Sequence, residues 1–180
     1  NFTELFQKME TLRDPIMFAS FVRRNGFNTT AVTSLSHFAK FHDAKVIATI
    51  SPEDFYDFSV TPPVVSSDEG KRLIEWPKNE ILLIQSNNFA RDILVMTGVE
   101  PHLKWPTFSN AVHDFIDQQS IRDLLVIRTW PGAVPHTRPV LIRLTTKYKE
   151  LARTLGLPDI DNDYSGPVDI GGVLSSLQVN

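Results

Sequence analysis

Apolar residues recur along this chain in two repeated units of strand and helix. The run Pro15-Ile16-Met17-Phe18-Ala19-Ser20-Phe21 is almost continuously apolar, which predicts a short strand buried on both faces. A turn signal follows at Asn25-Gly26, and Asn28 or Thr29 is placed to cap a helix reaching about Phe41. Within that helix Val32, Leu35, Phe38 and Ala39 return at helical spacing, and Lys45–Ile50 resumes as strand, completing a βαβ unit. The second unit reads as a buried strand at Asp92–Thr97, a helix from Trp105 to Gln119 and a strand at Leu124–Thr129. Phe108, Val112, Phe115 and Ile116 make one stripe along its helix. Between the units, in 55–84, Val60, Val64 and Val65 sit among Pro62 and Pro63, and Asp68-Glu69-Gly70 turns into Arg72–Trp76. Prolines at that density suit an edge, so 55–84 is predicted to be a β-hairpin excursion attached to the main sheet. From Pro167 a last helix carries Ile170, Val173, Leu174 and Leu177 on one side. Strands alternating with helices predict a layered α/β fold with a partly parallel sheet. The expected organisation is a single α/β domain over 1–180, incomplete at its C-terminal end because the last helix feeds no strand.

The 180 residues suffice for one domain with a real core. The absence of cysteine excludes disulfide frameworks, thiolate zinc sites, iron–sulfur clusters and a cysteine nucleophile. A formal charge of −3 does not suit a general nucleic-acid binder. No apolar run approaches the roughly 20 residues that span a bilayer, and Asn1-Phe2-Thr3-Glu4 does not open like a signal peptide. The expectation is a cytoplasmic protein engaging neither membrane nor nucleic acid. The small net charge conceals segregation: residues 1–41 carry +2, 42–69 carry −5, 70–121 carry −1, 122–153 carry +5 and 154–180 carry −4. Such blocks are either solvated faces or complementary surfaces for self-assembly.

Dinucleotide-loop, phosphate-loop, zincin and nucleophile-elbow motifs are all absent. In a parallel α/β sheet, ligands bind beyond the carboxyl ends of the strands. The loops leaving those ends hold Arg23-Arg24-Asn25-Gly26, Gly98-Val99-Glu100-Pro101-His102 and the stretch Trp130–Pro139 with His136-Thr137-Arg138. If the strands are neighbours, Arg24, Asn25, Glu100, His102, His136, Thr137 and Arg138 line one crevice. Two histidines, a carboxylate and arginines there suit an anionic small molecule, or acid/base chemistry with His136 or Glu100. The competing reading makes each a structural loop residue, with His136-Thr137-Arg138 locked between Pro135 and Pro139. No third ligand stands at a recognisable spacing from His102 and His136, so neither a metal nor a cofactor is expected.

Five blocks in order carry a resemblance: Ser51-Pro52-Glu53-Asp54-Phe55-Tyr56-Asp57-Phe58, Ile74-Glu75-Trp76-Pro77, Gly98 to Trp105, Val134 to Pro139, and Tyr164-Ser165-Gly166-Pro167. From about Pro15 to Leu174 the chain resembles the prokaryotic branch of the proteasome assembly chaperone family, sometimes labelled carboxylate–amine ligase-like. The resemblance implies a three-layer α/β/α fold similar to phosphorylases and hydrolases, with a mostly parallel sheet. It also implies homo-oligomers, a trimer among the sizes allowed, and a protein partner, but no established reaction. The family's Trp-Asn-Asp-Ala-Gly stretch after the first strand is replaced by Phe21-Val22-Arg23-Arg24-Asn25-Gly26-Phe27-Asn28, where Asn25 is the matching residue. Two functions stand side by side. One is a homo-oligomeric, chaperone-like assembly protein without catalysis. The other is a small-ligand binder or enzyme using His136 as acid/base, Arg138 as anion clamp and Glu100 as partner.

Overall fold

The computed structural model describes residues 2–3, 11–23, 25–68, 70–146, 148–158 and 165–176. In chain order the elements are β1 (Phe2–Thr3), β2 (Ile16–Val22), α1 (Thr29–Phe41), β3 (Lys45–Ile50), β4 (Val64–Asp68), β5 (Lys71–Glu75), β6 (Asn79–Ile84), β7 (Ile93–Val99), α2 (Trp105–Gln118), β8 (Asp123–Val126), α3 (Lys149–Thr154) and α4 (Ile170–Ser176). They fall into two compact units, one formed by 1–130 with 168–180 and the other by 131–167.

The first unit is built on a six-stranded sheet ordered β1-β3-β6-β7-β2-β8. β2 pairs in parallel with both β7 and β8, while β6 is antiparallel to β3 and β7, and β1 to β3. Four strands, β3, β7, β2 and β8, therefore run one way and two run against them. β3 is parallel to β2 as the βαβ pattern requires, but two strands separate them.

The period-two alternation of strand side chains sorts the core into two layers. Met17, Ala19, Phe21, Leu94 and Met96 meet Phe108, Val112, Phe115 and Ile116 of α2 and Ile170 and Leu174 of α4. On the opposite face Ile93, Val95 and Ile84 meet Leu35 and Ala39 of α1, with Ile16 and Phe18 packed beside them. This is the three-layer α/β/α arrangement, and the stripe read along α2 is the one buried. At the amino ends of the parallel strands, Arg91 joins Asp14 to Asp123 at 3.1 and 2.6 Å, and the Arg13 amide donates to buried Asp92 at 2.8 Å. These charges tie the starts of β2, β7 and β8 together.

Three sequence expectations are corrected. The excursion is shorter than 55–84, because Asn79–Ile84, with Ile81 and Ile84 buried, lies inside the main sheet. What remains, β4 and β5, is a separate two-stranded sheet, not an extension of the main one. The strand expected to reach Thr129 ends at Val126, where polar side chains replace the ladder: Ser20 Oγ donates to the Ile127 carbonyl at 2.9 Å, and Asn28 Oδ1 accepts from the Thr129 amide at 2.7 Å. For that reason Asn28 starts α1 without capping it through its side chain. The last helix ends in description at Ser176, so Leu177 lies outside the described residues, as does Arg24.

The second unit holds α3, with Ala152 buried. Val140, Leu141 and Ile142 are exposed in its extended segment.

Candidate functional site

Because β2, β7 and β8 run in parallel, their carboxyl ends open on one side, and a narrow cleft forms there. Its walls come from Phe21 and Arg23 after β2, Asn28 before α1, Glu100 after β7, Val126 and Arg128 at β8, and Asp169, Ile170 and Gly171 entering α4. The charged groups are already matched. Glu100 Oε1 accepts from the Ile170 amide at 2.9 Å, and its Oε2 lies 3.8 Å from Arg23 Nε. Asp169 Oδ1 caps α4 by accepting from the Gly172 amide at 2.8 Å, and it also accepts from Arg128 Nη1 at 3.2 Å. Gly171 is required at the contact with β8, since a Cβ there would stand 2.7 Å from Val126 Cγ1.

Asn28 closes the back of this region. It is buried with φ at +71°, a conformation that Asn tolerates better than most residues. Its Nδ2 donates to the Phe21 carbonyl and to Ser20 Oγ, both at 3.0 Å, while Oδ1 receives Thr129. What the cleft encloses is about 10 Å³, room for one water molecule. Small-molecule sites usually offer about 300–1,000 Å³. Two carboxylates, each engaged by a backbone amide and an arginine, leave neither a free base nor a nucleophile in it. The arrangement pins α4 to the strand ends.

Of the sequence candidates, Glu100 is the one that lines the cleft. His102 stands in a different cluster. Its Nδ1 accepts from the Asp57 amide at 3.1 Å, which leaves Nε2 to donate to Thr61 Oγ1 at 3.3 Å. Its own backbone amide donates to the Phe55 carbonyl at 2.8 Å, and its ring meets Tyr56 edge-on. His102 thus fastens 55–61 to the loop after β7. Beneath it the Tyr56 hydroxyl donates to the Val99 carbonyl at 2.6 Å and accepts from Asn79 Nδ2, and burial pushes the phenol's pKa upward. Asn25 is exposed, its Oδ1 accepting from the Phe27 amide at 3.1 Å in a local turn. His136, Thr137 and Arg138 belong to the second unit and are exposed, with the Arg138 amide donating to the Pro135 carbonyl at 3.0 Å. Among the described residues no three His, Asp or Glu side chains are grouped to hold a metal ion.

The model of the PAC2 family matches residues 26–179 of the sequence. The chain belongs to the PAC2 family. A PAC2 family protein from Streptomyces avermitilis is 33% identical, with a TM-score of 0.80 over 91% of this chain and 69% of its own. A proteasome-assembly chaperone homologue from Mycobacterium tuberculosis is 28% identical, with a TM-score of 0.75 over 90% of this chain and 68% of its own. PbaA of Pyrococcus furiosus, an archaeal homologue of proteasome-assembly chaperone, shares the fold at 12% identity and a TM-score of 0.60, over 93% of this chain and 67% of its own. No curated protein matches the sequence.

Sequence reasoning passed over several members of this PAC2 cleft. Arg23 and Arg128 looked like parts of a general basic surface, and Asn28 looked like a helix cap. Two signals were present: polar Ser20 inside an otherwise apolar strand, and Asp169 three residues before Gly172, the spacing of a capping side chain. Among the described residues of this PAC2 chain, no helix is long and apolar enough to cross a membrane.

Proposed function

We propose that this chain is a protein-binding assembly module of the proteasome-assembly-chaperone kind, acting in the cytoplasm as a homo-oligomer and without catalysing a reaction. The observation that carries this reading is the strand-end cleft, which is filled by its own ion pairs and has room for one water. In many α/β folds that place receives the ligand. Here the surface left for recognition is apolar and exposed, at Val64, Val65, Leu73, Ile74 and Trp76 in the first unit and at Val140, Leu141 and Ile142 in the second. Family membership and the Mycobacterium tuberculosis relative support a protein as the partner.

The test is thermal melting against a panel of nucleotides, inorganic phosphate and small carboxylates. No ligand is expected to raise the melting temperature by more than about 1 °C. A saturable rise of several degrees, lost in Arg138→Ala or His136→Ala variants that melt like the parent, would establish the small-ligand reading instead.

A further inference from the structure

We infer that two copies of this chain pair through β5, antiparallel about a two-fold axis, joining their hairpins into a four-stranded sheet ordered β4-β5-β5-β4. The inference rests on the homo-oligomer reading above and adds the surface that makes it. The hairpin is a sheet of its own, so among the described residues the outer edge of β5 has no strand beside it. All five β5 residues are exposed. A lone two-stranded hairpin is marginal in water, and a free edge is a template for another strand.

The occupant follows from the charge pattern Lys71-Arg72-Leu73-Ile74-Glu75, in which cations stand at one end and an anion at the other. Antiparallel pairing centred on Leu73 sets Lys71 opposite Glu75 of the second copy, and Glu75 opposite Lys71 of the second copy. The same register places Leu73 against its own counterpart and Arg72 against Ile74. A parallel pairing would set like charges against each other, which is unfavourable. Lys71, Arg72 and Glu75 have no ion-pair partner among the described residues, so the charges are free for this use. β4 is less suited, since Pro62 and Pro63 precede it and contribute no amide donors. Gly70, at φ +79°, and Pro77 bound the pairing segment. The result is an isologous contact, which closes on two copies and does not propagate into a fibre.

Two sets of variants test the pairing in the full chain. The sequence contains no cysteine, so Leu73→Cys introduces a single thiol at the two-fold axis. Mild oxidation should convert it to a covalent dimer much faster than Val64→Cys on the other strand. Lys71→Glu and Glu75→Lys should each weaken self-association by about tenfold, because each turns two attractive pairs repulsive. The double swap should restore it to within about threefold of the parent. Equal cross-linking of the two cysteine variants overturns the proposal. So does an oligomer whose dissociation is unchanged by either single swap, an outcome that leaves the homo-oligomer reading standing. A parent chain that is monomeric at every concentration removes both.

Discussion

Asn28 offers the sharpest check on whether the strand-end region is structural. Replacing it by Ala removes the two bonds donated to Phe21 and Ser20 and the acceptor for the Thr129 amide. Each bond is worth about 1 kcal/mol. Ala at φ +71° adds about 1 kcal/mol of left-handed strain, so the total is about 3–4 kcal/mol. That is a large part of the roughly 5–15 kcal/mol that holds a typical domain together. The assay is urea unfolding at equilibrium, with Ser20→Ala and the double variant completing a cycle. Ser20 Oγ accepts from Asn28 and donates to the Ile127 carbonyl, so the two losses share one bond. The double variant should therefore cost about 1 kcal/mol less than the sum of the singles. An Asn28→Ala penalty below about 1 kcal/mol, or strictly additive losses, would refute the reasoning. Oligomer mass should be unchanged in all three variants, because none of the substituted residues lies on the hairpin.

Three further outcomes are expected. Gly98→Ala should destabilise by about 2–4 kcal/mol, seen as a lower urea midpoint, since a Cβ there would stand 2.3 Å from the Lys78 carbonyl oxygen and closer still to Asn79 Oδ1. Glu100→Ala should cost about 1–3 kcal/mol by stranding the Ile170 amide, and should speed hydrogen exchange in α4 more than in α2. Equal exchange in both helices would show that Glu100 does not anchor α4. Buried Tyr56 has a raised pKa, so the unfolded chain releases this proton near pH 10 while the folded chain keeps it. Stability should fall as pH rises past about 10, and Tyr56→Phe should flatten that fall in urea titrations between pH 8 and 11. Parallel slopes for the two proteins would count against the assignment.

Legibility from sequence followed the range of the interactions. The α2 stripe of Phe108, Val112, Phe115 and Ile116 and the doubly buried β2 were readable because their burial patterns are local and periodic. β6 was not, although it lies at the heart of the sheet. Its neighbours β3 and β7 are far from it in sequence, and the prolines before β4 drew the whole stretch into one excursion. The cleft was half legible. Glu100 stood out as a carboxylate at a strand end, but its partners Arg23 and the amide of Ile170 come from opposite parts of the chain. Asn28 shows the limit most clearly: the residue type that caps helices was spent on long-range bonds to β2 and Thr129.

The central claim, that this PAC2 chain works by binding protein, is tested most directly by native mass measurement of the chain mixed with unassembled proteasome α-subunits from the same cell. The account predicts a homo-oligomer of the chain alone and a discrete, stoichiometric complex in the mixture. Spectra that are the sum of the two separate components at micromolar concentrations, with the chain a monomer throughout, would contradict it.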